Sequence, residues 1–186
     1  MDRAIVDRTP LPPGRRILVV SDIHGHLPFF QALMDKVALA PSDILIPLGD
    51  FLEKGRDSLA LLRHLMELSQ THTLRPICGN CDELVLNFFE TDEMDRRFFD
   101  SYLPRHPESA IRQMAREGGF EQLEDLPRLR ADLRAALPRE WAWLKTLPTI
   151  VETEHLVFVH GGVPSLEGME RLERWRCMKH DDFLGQ

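Results

Sequence analysis

Ile17-Leu18-Val19-Val20-Ser21-Asp22-Ile23-His24-Gly25-His26 is the stretch that decides the reading of the chain. Four apolar residues, three of them β-branched, make a short buried strand that runs straight into serine, aspartate and two histidines. After it the period turns helical. Pro28 suits a first helical turn, and Phe29, Phe30, Leu33, Met34 and Val37 share one face, which predicts a helix over 28–39 stopped by Pro41-Ser42. Asp43–Ile46 reads as a second strand, Ser58 as the cap of a helix carrying Leu59, Leu62, Leu65 and Met66, and Leu74–Cys78 as a third strand. This βαβαβ alternation implies a parallel sheet with right-handed crossovers.

Further along, densely alternating charges and the prolines Pro104, Pro107, Pro127 and Pro138 predict short helices over about 91–147, with Trp141, Trp143 and Leu144 anchoring the last. Thr149–Thr153 and Leu156–Val159 then read as two strands around a turn at Glu154-His155.

Four apolar runs end in a polar residue of metal-ligand type. Ile17–Val20 leads to Asp22 and His24, Ile44–Leu48 to Asp50, Leu74–Cys78 to Asn80, and Leu156–Val159 to His160. In a parallel sheet such ends share the carboxyl edge, where open α/β folds bind ligands. The intervals Asp22 to Asp50 and Asp50 to Asn80 match one βα unit of roughly 30 residues. Asp, His, Asp, Asn and His mix hard oxygen with imidazole, which suits manganese, iron or zinc better than a magnesium or calcium cage. Crowded carboxylates and imidazoles favour cations between them, so a dinuclear site is expected.

Composition sets outer bounds. The 186 residues are 43% hydrophobic and carry 23 Lys+Arg against 30 Asp+Glu, a net charge of −7, as in a globular domain without a general nucleic-acid-binding face. The apolar runs fall far short of the roughly 18 residues of a membrane span. Residues 1–15 read as a flexible lead with several arginines and prolines but no apolar signal core, and the expected compartment is the cytoplasm. Three cysteines in such a chain imply free thiols, not a disulfide framework.

Taken in order, Ser21-Asp22-Ile23-His24-Gly25, Gly49-Asp50-Phe51-Leu52-Glu53-Lys54-Gly55, Gly79-Asn80-Cys81-Asp82 and Val159-His160-Gly161-Gly162 resemble the motifs of the calcineurin-like metallophosphoesterases. The likeness is greatest to the phosphoprotein-phosphatase-like branch that includes bacterial diadenosine tetraphosphatases, and it covers roughly 16–164. It implies an α/β/β/α sandwich in one domain over 16–186, with a helical insertion at about 91–147. It also implies two divalent metals, manganese first and iron or zinc as alternatives. Asp22 and His24 would hold one metal, Asn80 and His160 the other, and Asp50 would bridge them. A metal-bridging hydroxide would then attack the phosphorus of a phosphorylated small molecule, nucleotide or phosphoprotein.

The chain departs from that pattern in three places. Cys81 stands where the branch has a histidine proposed to protonate the leaving oxygen; its thiol is the available proton donor. Glu53-Lys54 replaces an Asp-Arg pair, so Glu53 supports the donor with a longer arm and Lys54 attracts phosphate as a point charge. The branch's second Gly-His motif has no counterpart before Gln186, since His180 follows neither glycine nor strand; the domain is expected to be incomplete at its C-terminal end. A serine/threonine-phosphatase-like monoesterase is the leading expectation. A phosphodiesterase, a dinucleoside polyphosphate hydrolase, a catalytically impaired interaction domain, and a redox role for Cys78-Gly79-Asn80-Cys81 are the alternatives.

Overall fold

The computed structural model of the protein describes residues 3–90, 96–120 and 123–179. The stretch read as a lead is partly woven into the fold: β1 (Val6–Asp7) pairs in parallel with a strand near the other end of the chain, and Ala4 is buried. The deciding stretch forms β2 (Ile17–Val20), followed by α1 (Leu27–Lys36), β3 (Ile44–Pro47) and α2 (Ser58–Thr71). Ser58 is the first residue of α2 and does not cap it; its buried hydroxyl accepts the Glu53 N–H instead. The third strand starts one residue early and is short, β4 (Thr73–Leu74). Arg75 and Ile77 N–H still donate to Leu45 and Pro47 carbonyls along the same edge.

Next comes α3 (Asn80–Glu90), a helix the sequence reading did not assign, with Asp82 and Glu83 in its first turn where carboxylates complement the helix dipole. The expected short helices follow as α4 (Arg96–Arg105), α5 (Ala110–Glu117), α6 (Leu126–Ala136) and α7 (Pro138–Lys145). Leu144 is buried, and Trp141 and Trp143 pack against the same core. Then come β5 (Ile150–Glu152), β6 (Val157–Val159), a 3-10 turn at Met169–Arg171, and α8 (Arg174–Lys179).

β2, β3 and β4 form one all-parallel sheet; β1, β5 and β6 form another, in which β5 and β6 are antiparallel. Side-chain alternation then layers the molecule. Ile44, Ile46 and Ile77 meet Val151 and Phe158 between the sheets, while Leu45 points to the helices. On the far face of the second sheet, Ile150 packs with Ala4, Val163, Met169 and Cys177. The order is therefore helices, sheet, sheet, helix. β3 is buried on both faces, which is why it reads as an unbroken apolar run, and each such side chain contributes about 1.5–3 kcal/mol relative to exposure. Ile17 and Val19 of β2 lie beyond that cover and remain 36% and 47% exposed. Among the described residues, no helix is long and apolar enough to cross a membrane.

Candidate metal centre

The loops after β2 and β3 are hydrogen-bonded to each other. Asp22, His24 and Gly25 N–H donate to the carbonyls of Gly49, Asp50 and Phe51, and Gly55 and Asp57 N–H return to those of His24 and Gly25. This pairing holds an uncommon backbone. Asp22, His24, Asp50, Glu53 and Lys54 all adopt left-handed conformations, with φ from 47° to 71°. The loop after β4 closes on the same place, where a Cβ at Gly79 would lie 2.2 Å from the Asp50 nitrogen, a distance that only glycine allows.

Asp82 locks this junction. Its buried carboxylate accepts N–H groups from Asp50, Leu52 and Gly79 at 2.8, 3.0 and 2.9 Å. Burial pushes its pKa up to about 7, the nearby Asp50 carboxylate adding to the rise and the three backbone donors opposing it. Asp82 was visible in the sequence as part of the Gly79-Asn80-Cys81-Asp82 motif; what it grips was not.

Both ligand-type histidines are oriented by the loop that carries Asp50. His24 Nδ1 lies 3.1 Å from the Leu52 carbonyl and His160 Nδ1 2.7 Å from the Leu48 carbonyl. A carbonyl can only accept, so each Nδ1 carries the proton and each Nε2 presents its lone pair to the centre. Asp50 stands between them, with Oδ2 at 3.7 Å from His24 Nε2 and Oδ1 at 3.5 Å from His160 Nε2. His160 gets there from β6, in the second sheet, so the centre joins three strand ends of one sheet to a fourth from the other, not four ends on one edge.

Two sets of ligand atoms come together: His24, Asp50 and Cys81, and Asp22, Asp50 and His160, each with its atoms within 4.8 Å of one another. Four of the five ligands expected from the sequence, Asp22, His24, Asp50 and His160, fall in these sets with Asp50 in common, and Asp22 groups with His160. Asp22 Oδ1 is also 3.4 Å from His24 Nε2. Asn80 opens α3 beside them, and its Nδ2 donates toward Cys81 Sγ at 3.5 Å. The donors fit divalent cations, and a positive group already stands among them: Lys54 Nζ lies 2.7 Å from His24 Nε2, at the lone pair a metal would use. His180 lies outside the described residues.

Glu53 and Cys81 differ from their expected pairing. The buried Glu53 carboxylate accepts from the Tyr102 hydroxyl and from the Ala110 N–H at 3.0 Å, so its partners come from α4 and α5. Burial raises its pKa, with those two donors opposing. Burial also pushes the Cys81 thiol up, as does the neighbouring Asp50 carboxylate. Such a thiol gives up its proton reluctantly, which lends no support to the donor role. Cys78 is fully buried and pushed up for the same reason, the opposite of an activated redox pair.

A cavity of about 490 Å³ adjoins the centre, with Lys54, Tyr102, Arg105, His106 and Lys179 in its wall. His106 and Tyr102 stack there with ring centroids 4.2 Å apart.

With this geometry in place, the chain can be set beside known proteins. Residues 15–185 match the family model described as calcineurin-like phosphoesterase. The serine/threonine-protein phosphatase 2 of Escherichia coli (strain K12) is 35% identical over 80 residues, 42% of this chain and 35% of that protein. The symmetrical bis(5'-nucleosyl)-tetraphosphatase of Shewanella sp. (strain W3-18-1) is 24% identical over 173 residues, 89% of this chain and 53% of that protein. The chain thus spans about half the length of that relative. A crystal structure of a candidate diadenosine tetraphosphatase shares the fold with a TM-score of 0.60 at 22% identity, covering 91% of this chain and 60% of the other. The family match runs through all four strand-end motifs, and the chain belongs to the calcineurin-like phosphoesterases.

Proposed function

We propose that the chain hydrolyses a phosphate ester at a centre of two divalent metals held by Asp22, His24, Asp50, Asn80 and His160. The observation that carries this reading is the sharing of Asp50 by two sets of ligand atoms, with both imidazoles turned toward it by backbone carbonyls. The metals, drawn from manganese, iron and zinc, supply when bound the Lewis acidity and activated water for in-line attack on phosphorus.

The chain's own groups do the rest. A metal on His24 would occupy the lone pair that Lys54 Nζ faces, and the ammonium, in the wall of the adjoining cavity, would offer a point charge to phosphate. Glu53, held by Tyr102 and Ala110, fixes the loop that carries Lys54. No side chain attacks phosphorus, so no phosphoenzyme forms. Arg105, His106 and Lys179 make the cavity suited to an anionic leaving group, such as a nucleotide or the peptide of a phosphoprotein.

A serine/threonine-phosphatase-like monoesterase is the first reading. Cys81 in place of an imidazole favours a dinucleoside polyphosphate, or a phosphodiester with a stable leaving anion, as the second, because such a leaving group needs no proton donor. Elemental analysis for metal, with hydrolysis of p-nitrophenyl phosphate and its bis ester in added manganese, tests both. Two metals per chain and hydrolysis lost in Asp50→Asn are the expected results, and preference for the bis ester selects the second reading. A folded chain that takes up no metal and cleaves neither ester overturns both.

A further inference from the structure

Cys81 is placed with the metal-ligand atoms of His24 and Asp50. We propose that its thiolate is a ligand of the metal held by His24 and Asp50, which makes this half of the centre a nitrogen, oxygen and sulfur site that prefers a thiophilic ion such as zinc to manganese. The inference rests on the metal-centre reading above and assigns the ion's third protein donor.

The geometry is set by short links. The Cys81 N–H donates to Asp50 Oδ1 at 2.8 Å, which ties the cysteine backbone to the shared carboxylate. His24 Nε2, an Asp50 oxygen and Cys81 Sγ then lie within 4.8 Å of one another, a spread that one ion with nitrogen and oxygen at roughly 2.0–2.2 Å and sulfur at about 2.3 Å can draw together. Cysteine's single methylene keeps the sulfur close in, where an imidazole would reach past toward the leaving group.

Burial and the Asp50 carboxylate oppose an anion at that sulfur in the metal-free chain, so a bound cation would have to offset them, and two neighbouring groups would help it. Cys81 is the second residue of α3, where the positive end of the helix favours a thiolate. Asn80 Nδ2 points a donor at the sulfur, the outer support that ligands of bound metals usually have. On binding, the S–H bond breaks, the proton leaves to solvent and the sulfur lone pair forms the bond to the metal, with no change of oxidation state. Soft sulfur discriminates between ions that the oxygen and imidazole ligands treat more evenly.

Cobalt(II) added to the metal-free chain is the test. A near-ultraviolet thiolate-to-cobalt charge-transfer band is expected in the wild type and in Cys78→Ser/Cys177→Ser, which removes the other two thiols. Cys81→Ser should lose that band while keeping the visible cobalt bands, and its preference for zinc over manganese in equilibrium dialysis should fall about tenfold or more. Cys81→Ala serves as a second variant, and thermal melts of both check folding. Visible cobalt bands in the wild type without the charge-transfer band, or a band that survives in both Cys81 variants, would overturn the proposal and leave the metal centre standing. Failure of the folded wild type to take up cobalt would overturn the centre and the proposal together.

Discussion

The parallel sheet and the helical segment after it make unequal contributions to the same site. The sheet edge supplies Asp22, His24, Asp50 and Asn80 from the loops that follow three neighbouring strands, so their placement follows from topology. The helices of 96–145 supply none of the expected ligands. They reach the centre through Tyr102, Ala110 and Gln113, which bind the loop of residues 53–58. Gln113 alone accepts the Ser58 N–H and donates to the Gly55 and Glu108 carbonyls. On the proposed function, one region carries the reacting groups and the other holds them still.

Substitutions on the two sides should therefore fail in different ways. The largest effect belongs to the sheet edge: Asp50→Asn should lower hydrolysis on the order of 10³-fold or more in steady-state kinetics, because the group shared by both ligand sets loses its charge. The melting temperature of the metal-free variant should stay level, since the amide oxygen can still accept the Cys81 N–H. Gly79→Ala forces a Cβ against the Asp50 backbone and should destabilise the fold by about 1–3 kcal/mol in urea denaturation, with metal affinity falling in parallel. On the helical side, Gln113→Ala should cost about 1–3 kcal/mol by leaving buried backbone groups unpaired. Bound metal should remain while KM rises more than kcat falls. If Gln113→Ala removed metal instead, the division of labour would break down.

The smallest effect is a pH dependence. Burial raises the Glu53 pKa above its ordinary 4.5, so the unfolded chain releases this proton first and the native state keeps it longer. Stability should fall as pH climbs from that value through the raised one, and be unaffected by this group below it. Glu53→Gln keeps one oxygen to accept the Ala110 N–H and places an amide NH2 that can donate to the Tyr102 hydroxyl oxygen, without a charge. It should match the wild type near pH 4 and exceed its stability at pH 8 in thermal melts. A wild type that outlasts Glu53→Gln at pH 8 would show that the carboxylate gains more from its donors than it loses by burial.

Much of the sheet side was legible because its signals are local. An apolar run ending in Asp-x-His or Gly-Asp needs only a dozen residues to read, and Asp22, His24, Asp50 and His160 fall within the two ligand sets. What escaped the sequence depends on distant partners. β1 forms only because Val6 and Asp7 find Ile150 and Val151, and nothing within a dipeptide announces that pairing. Tyr102 meets Glu53 across 49 positions, with α4 set by packing that no periodicity encodes. Ser58 looked like a cap because serine usually is one; here the Glu53 N–H claims its hydroxyl. Asp82 sat inside a recognised motif, but its three donors converge only after both loops have folded.

The five left-handed residues of the centre bear on redesign. Each L-residue held at positive φ costs roughly 1–2 kcal/mol, so a search for thermostability should rank glycine or asparagine high at 22, 24, 50, 53 and 54. Those are the positions that the proposed chemistry uses. An unconstrained optimiser would thus produce a tougher, inert version of this domain, and a list of its favoured replacements would serve as a map of the active loops.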